Sequence, residues 1–147
     1  MYPTVQNQYR AAQAYQTASE NVTAAQAIVM LYDGAIRRIL DARKAIEEKR
    51  IEDRYHSITR AYNIINGLHC HLDFEAGGEI AKLLDQYYSY ILHRLTEVNI
   101  KNDPSICSEL VERLREMRAS WCHIAENDDT GKPSRPHDNI QLGELTA

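Results

Sequence analysis

One stretch of the sequence, residues 24–46, has the length and the pattern of a long amphipathic helix. Its apolar positions return every three or four residues, which places them on one helical face. Thr23 and Gln26 predict a capping box at its start, because each side chain can bond to the backbone N–H of the other residue. A helix of about 35 Å cannot bury such a stripe alone, so the rest of the chain must supply partner helices. The stripe consists of Ala25, Ile28, Val29, Tyr32, Ile36, Ile39, the aliphatic stem of Arg43, and Ile46.

Three further segments repeat this pattern, at about residues 51–72, 79–99 and 104–125. We place the first break near Lys49 and Arg50. The second break is marked by Asp73, Phe74 and the pair Gly77–Gly78, because paired glycines interrupt helices. The third is Asp103–Pro104, where an N-cap residue precedes a proline at the first helical position. The predicted stripes are Tyr55, Ile58, Tyr62, Ile65, Leu68 and Leu72; then Ile80, Leu83, Leu84, Tyr87, Ile91, Leu95 and Val98; then Ile106, Leu110, Leu114, Met117, Trp121 and Ile124.

Four helices of about 20 residues with short connections predict an all-α fold, an antiparallel up-and-down four-helix bundle. The predicted bundle comprises residues 23–125. Residues 1–22 carry too little apolar area to fold alone, so this short N-terminal segment is either loose or docked on the bundle. Residues 126–147 are polar, with two prolines and two glycines, and we expect them to form a disordered C-terminal tail.

Composition narrows the possible functions. The chain has 147 residues and a net charge of −4, with dispersed Lys and Arg, so we expect no nucleic-acid partner. No apolar run approaches the roughly 18 residues of a membrane span, and the N-terminus does not resemble a secretory signal. The odd number of cysteines (Cys70, Cys107 and Cys122) is typical of free thiols in the reducing cytoplasm.

The sequence carries no pattern typical of an active site. No histidine follows a glutamate by three positions, as in di-iron bundles. His69 and His71 point about 200° apart on a helix, so they cannot bind one metal ion; we expect both at the surface, with Cys70 at least partly buried. Gly77–Gly78 lacks the Lys and Ser/Thr of a phosphate loop. We therefore expect no enzyme activity, no cofactor and no metal.

Protein binding is the remaining class of function, since helical bundles without catalytic groups commonly bind other proteins. The chain is rich in tyrosine, which suits half-buried and interface positions. For Tyr55, Tyr62 and Tyr87 we expect simple core packing in preference to an interface role. Tyr2, Tyr9 and Tyr15 precede the core helices and are equally well interpreted as interface residues.

Several sequence blocks resemble the FliS family of flagellin-specific export chaperones of the bacterial flagellar secretion system. The first block is Val29-Met30-Leu31-Tyr32-Asp33-Gly34-Ala35. The second is Leu72-Asp73-Phe74-Glu75 followed by Gly77-Gly78-Glu79-Ile80-Ala81. The third is Leu95-Thr96-Glu97-Val98-Asn99 with Lys101-Asn102-Asp103, and Trp121 completes the set. The resemblance extends from about Tyr9 to Ile124. The chain departs from it at Ala24, where the family commonly has proline.

The resemblance implies a four-helix bundle that binds the C-terminal segment of flagellin in the cytoplasm, one chaperone to one subunit. In the family this segment is disordered when free and folds into helices around the bundle. Covering it prevents premature polymerisation and keeps the subunit ready for type III export. The resemblance also implies contact with a component of the flagellar export gate.

The resemblance further implies an N-terminal gate, a segment whose aromatic residue covers part of the client site and moves aside for the client. The matching positions are Val5 and Tyr9, with Tyr15 as the nearest alternative. Within the bundle, Ile28, Leu31 and Tyr32 are the candidate groove residues. Leu31 lies off the main stripe, so it needs either a further neighbour or a client. Two alternatives stay open: a generic helical adaptor, and a metal or redox bundle enzyme.

Overall fold

The computed structural model describes residues 23–129, with side chains up to residue 127. Four helices occupy this range, and no strand occurs in it: α1 (Ala24–Glu47), α2 (Ile51–Cys70), α3 (Phe74–Lys101) and α4 (Pro104–Asp129). α1 packs against α2 and α4, and α3 packs against the same two helices. The short connections make successive helices antiparallel, so the predicted all-α four-helix bundle is confirmed.

The ends of the chain bear on two predictions. α4 continues to Asp129, beyond the predicted end at residue 125, because no helix-breaking residue precedes Gly131. The predictions for the N-terminal segment (residues 1–22) and for the remainder of the tail (residues 130–147) lie outside the described residues.

The first long helix begins and ends as the sequence predicts. The Thr23 N–H donates to Gln26 Oε1 at 3.1 Å, and the Gln26 N–H donates to Thr23 Oγ1 at 3.2 Å, which completes the capping box. The chain turns sharply at Lys49, whose φ of 60° is left-handed. The Lys49 and Arg50 N–H groups donate back to carbonyls in the last turn of α1. The break predicted near Lys49 and Arg50 is confirmed.

The connection between α2 and α3 differs from the prediction. α2 ends at Cys70, and Asp73 begins α3 rather than ending α2. Asp73 Oδ1 accepts from the N–H groups of Glu75 and Ala76, each at 3.0 Å, so it is the N-cap of a first helical turn. Gly78 then kinks α3 with a φ of 53°, a backbone conformation that disfavours any residue with a Cβ. The glycine pair is therefore a kink inside α3 and not a loop.

The core contains the α1 stripe and the α4 stripe nearly as predicted. Its largest fully buried side chains include Trp121, Tyr32 and Tyr88, and apart from such aromatic side chains no polar or charged side chain among the described residues is fully buried. Burial raises the pKa of the Cys107 thiol to about 11. Cys70 is exposed, so the expectation that it is at least partly buried is wrong.

The expectation that Tyr55 and Tyr62 pack in the core is also wrong, since both side chains are exposed. The buried residues of α2 are Ile58, Ala61, Ile65 and Leu68, so its buried face is turned away from the two tyrosines. The buried face of α3 is likewise rotated relative to the predicted stripe. Leu83 is exposed, and Tyr88, which the predicted stripe omits, is buried. Tyr87 is partly buried and packs against the core, as expected.

Candidate functional site

Three successive residues of α1 contact the three other helices, starting with Tyr32. This side chain is completely buried, and its hydroxyl donates to the hydroxyl of Tyr88 on α3 at 3.0 Å. Burial raises the pKa of Tyr32 well above its ordinary value, and Tyr88 raises that pKa further. The pair is therefore a neutral hydrogen bond that joins α1 and α3 across the bundle.

The next two residues face α4 and α2. Asp33 accepts two hydrogen bonds from the Arg118 guanidinium of α4, from Nε and, at 3.2 Å, from Nη2. Hydrogen bonding to Asp33 raises the pKa of Arg118. Gly34 faces α2, where an added Cβ would lie 3.4 Å from Ile64 Cδ1. The Tyr-Asp-Gly block of the sequence thus fixes α1 against its three neighbours.

An exposed apolar strip runs along α2, formed by Ile51, Tyr55 and Tyr62 and named here the α2 strip. The three side chains are 60%, 54% and 37% exposed. His69 of α2 bonds Asp85 of α3 at 2.5 Å, which marks the side of α2 that faces α3. Tyr62 and Tyr55 precede His69 by seven and fourteen residues, so they lie on that same side. The α2 strip therefore borders the seam between α2 and α3.

A second strip, named here the α3 strip, is formed by Leu83, Tyr87 and Tyr90. Leu83 is 52% exposed and Tyr90 is 38% exposed, while Tyr87 is partly buried. The three positions are spaced by four and three residues and share one side of α3. The strip borders the seam between α3 and α4, on the opposite flank of α3 from the α2 strip.

Polar contacts hold the α3 strip against α4. The Tyr87 hydroxyl donates to the Arg113 carbonyl at 3.2 Å, and the Tyr90 hydroxyl donates to Glu109 Oε1 at 2.6 Å. Arg94 donates to the other oxygen of Glu109 at 2.9 Å, and the Arg113 guanidinium lies 4.8 Å from the centre of the Tyr90 ring. The hydrogen bonds from Tyr90 and Arg94 lower the pKa of Glu109. These contacts fix the orientation of the tyrosines.

The predicted site residues occupy different environments. Ile28 and Tyr32 are completely buried, and Leu31 is partly buried and packs against the core. A client segment can contact Ile28 or Tyr32 only after the groups that cover them move aside. The gate residues Val5, Tyr9 and Tyr15 lie outside the described residues. The sequence pattern assigned four of the six strip residues (Tyr55, Tyr62, Leu83 and Tyr87) to the predicted core stripes, so it did not separate the α2 and α3 strips from the core.

The described residues form no metal centre. Between residues 23 and 129, no three His, Cys, Asp or Glu side chains come together in a way that would hold a metal ion. His69 is bonded to Asp85, and His71 donates from Nδ1 to the Gly67 carbonyl at 2.7 Å. None of the helices in this range combines the length and the apolar character needed to cross a membrane.

The fold and the exposed strips define the class of protein: an antiparallel four-helix bundle that presents apolar side chains along two of its seams. Comparison with known proteins is more specific. Residues 5–128 match the family described as Flagellar protein FliS. The chain belongs to the FliS family, whose members are chaperones of flagellar export.

Relatives in several bacteria support this assignment. The chain is 35% identical over 97 residues to the flagellar secretion chaperone FliS of Vibrio cholerae, covering 66% of this chain and 71% of the relative. It is 39% identical over 98 residues to FliSB of Pseudomonas aeruginosa, covering 67% and 78%. It is 37% identical over 101 residues to FliS of Salmonella typhimurium, covering 68% and 75%.

Proposed function

We propose that this chaperone binds the C-terminal segment of flagellin in the cytoplasm, one to one, and keeps it from polymerising until export. We further propose that the complex is delivered to a component of the flagellar export gate. The observation that carries the proposal is the pair of exposed apolar strips on α2 and α3, found in a member of a family of flagellar secretion chaperones.

The energetics of binding favour such a surface. A segment that is disordered when free loses conformational entropy when it folds on a partner, at a cost of about 2–5 kcal/mol or more. A large apolar interface must offset that cost. Single exposed apolar residues are ordinary on protein surfaces, but side chains repeated at helical spacing along one helix, as in each strip, offer an apolar row on which a guest helix can pack.

The buried candidates have a place in the same proposal. We propose that Val5, Tyr9 and Tyr15 belong to an N-terminal gate, and that Ile28, Leu31 and Tyr32 become accessible to the client when the gate moves. The α2 and α3 strips are the part of the client surface that is accessible before that movement. Binding would then begin on exposed side chains and extend to covered ones.

A titration with a peptide of the flagellin C-terminal segment tests the proposal. Far-UV circular dichroism should show helix beyond the sum of the two components, and calorimetry should give a stoichiometry of one. A scrambled peptide of the same composition should give neither signal. Retention of other amphipathic peptides with equal affinity would contradict flagellin specificity and favour a generic adaptor.

Variants of the α2 strip locate the binding surface. Tyr55→Ser and Tyr62→Ser together should lower the affinity for the flagellin peptide at least tenfold, because interface tyrosines commonly contribute more than about 1 kcal/mol each. Asn63→Ser, an exposed position on the same helix, is the matched control and should bind normally. Unchanged affinity in the double tyrosine variant would exclude the α2 strip from the client surface.

A further inference from the structure

A groove between α1 and α2 is lined by more cations than anions. It has a volume of about 420 Å³ and receives side chains from the second half of α1, from Arg50 in the turn and from the first half of α2. Four of its lining side chains are Arg or Lys and two are Asp, so the charged lining is net +2 in a chain whose net charge is −4. These six residues, which define the α1–α2 groove, are Arg38, Asp41, Lys44, Arg50, Asp53 and Arg60.

The α1–α2 groove lies on a different side of α2 from the client surface proposed above. Ile64 marks the side of α2 that faces α1, because its Cδ1 is the nearest atom to a Cβ built on Gly34. Arg60 precedes Ile64 by four residues and so lies on the same side. The α2 strip lies on the side that faces α3. A ligand in the groove would therefore leave the α2 strip uncovered.

Two of the four cations are compensated within the groove. Arg50 donates to Asp53 at 2.5 Å and to Glu48 at 2.9 Å, and Arg38 lies 4.0 Å from Asp41. The side chains of Lys44 and Arg60 make no hydrogen bond or ion pair with any residue between 23 and 129. Lys44 lies in the last turn of α1, where a cation is favoured by the helix dipole. Arg60 lies within α2 and gains nothing comparable.

The arrangement of charges indicates which anion fits. A guanidinium binds a carboxylate through two parallel hydrogen bonds, and a neighbouring lysine adds a point charge. A nucleic acid would bring closely spaced phosphates toward Asp41 and Asp53, which is unfavourable. An acidic peptide has more widely spaced charges.

We infer that the α1–α2 groove is a second protein-docking site, separate from the client surface, and that it takes an acidic peptide segment of a partner protein. Carboxylates of the segment pair with Arg60 and Lys44, and Arg38 and Arg50 exchange part of their contact with Asp41 and Asp53 for contact with the ligand. Both docking sites can be occupied at once, because they lie on different sides of α2.

Fluorescence anisotropy with a labelled octapeptide of alternating Glu and Ala tests this inference on the full chain at low salt. Lys44→Gln with Arg60→Gln should weaken binding of this probe at least tenfold. The matched control is Lys82→Gln with Arg115→Gln, which removes the same charge from α3 and α4 and should weaken binding less than twofold. All four positions are exposed, so both variants should keep the thermal stability of the parent protein.

Three results would overturn the inference: no binding of the acidic probe, equal weakening by the two double variants, or tighter binding of single-stranded DNA than of the acidic peptide at the same salt. Prior saturation with the flagellin peptide should leave the affinity for the probe unchanged within twofold. Competition between the two peptides would show that the α1–α2 groove belongs to the client surface. This competition is measured separately from flagellin binding itself. A failure of the groove inference can therefore be distinguished from a failure of the proposed flagellin binding.

Discussion

The hydroxyl of Tyr32 donates to the hydroxyl of Tyr88 at 3.0 Å, and both side chains are completely shielded from solvent. The two residues are far apart in sequence and lie on α1 and α3, helices that meet across the bundle rather than side by side. A polar contact at this depth constrains the core more than apolar packing alone, because a misplaced hydroxyl would lose its partner in a low-dielectric environment.

Removing either hydroxyl should reduce stability. We expect Tyr32→Phe and Tyr88→Phe each to lower the free energy of unfolding by about 0.5–1.5 kcal/mol, the usual net contribution of a hydrogen bond. In the double variant the loss should be smaller than the sum, with a coupling of about 1 kcal/mol in a double-mutant cycle measured by urea unfolding. Tyr62→Phe, on an exposed ring, is the control and should stay within about 0.5 kcal/mol of the parent. Strict additivity would show that the two hydroxyls are energetically independent.

Gly34 should accept a small side chain and reject a large one. A Cβ would lie 3.4 Å from Ile64 Cδ1, so Gly34→Ala should be neutral or stabilising by up to about 1 kcal/mol through its higher helix propensity. Gly34→Leu should push α1 away from α2 and destabilise the fold by about 1–3 kcal/mol. Gly67→Leu is the control, since no atom lies within 4 Å of a Cβ there. Thermal unfolding distinguishes these variants, and equal melting temperatures for the two leucine variants would contradict the expectation.

Glu109 should make stability depend on pH in the acidic range. Its pKa in the folded state is lowered by hydrogen bonds from Tyr90 and Arg94, so the unfolded state binds protons more readily. The resulting stability is present above the ordinary carboxyl pKa and is lost as the pH falls through the lowered value. Between about pH 5 and pH 3, the parent should therefore lose more stability in urea unfolding than Glu109→Gln does.

The control for this titration is Glu116→Gln, which replaces another exposed carboxylate of α4. Its pH dependence should follow that of the parent. An identical pH profile for Glu109→Gln and the parent would show that the seam between α3 and α4 does not depend on this carboxylate.

The N-terminal gate is tested by deletion of residues 1–18. If Val5 and Tyr9 cover part of the client site in the free chaperone, the deletion should raise the affinity for the flagellin peptide, because the closed population no longer competes with the client. Val5→Ser with Tyr9→Ser should act in the same direction, and Tyr15→Ser tests the alternative anchor. Circular dichroism of each free variant should confirm that the bundle persists. Unchanged affinity after the deletion would refute the gate.

The sequence predicted the long helices well because their signals are local. The capping box at Thr23, the proline after Asp103 and the period of the apolar residues all act within one or two turns of the chain. The direction of each buried face was less predictable. Whether Tyr88 or Leu83 is buried in α3, and whether Tyr55 is buried in α2, depends on where the neighbouring helices lie. Small buried residues such as Ala61 and Ala81 carry little signal of their own.

The candidate sites required the tertiary structure. Tyrosine tolerates both core and surface, so the pattern could not separate Tyr32 from Tyr62. The α1–α2 groove forms because cations from two helices converge across a turn, whereas along the chain these cations are widely spaced and most have an acidic residue nearby, so the charge looks dispersed.

The run of Tyr32, Asp33 and Gly34 also limits how this bundle can adapt to a guest. Turning α1 by one residue, about 100°, would detach the phenol from α3, the carboxylate from α4 and the glycine from α2 in a single movement. Sliding or rolling of α1 is therefore disfavoured by three separate contacts. Any rearrangement that admits a bound chain must take place in the other helices or in the segment that precedes α1, while α1 itself stays in register.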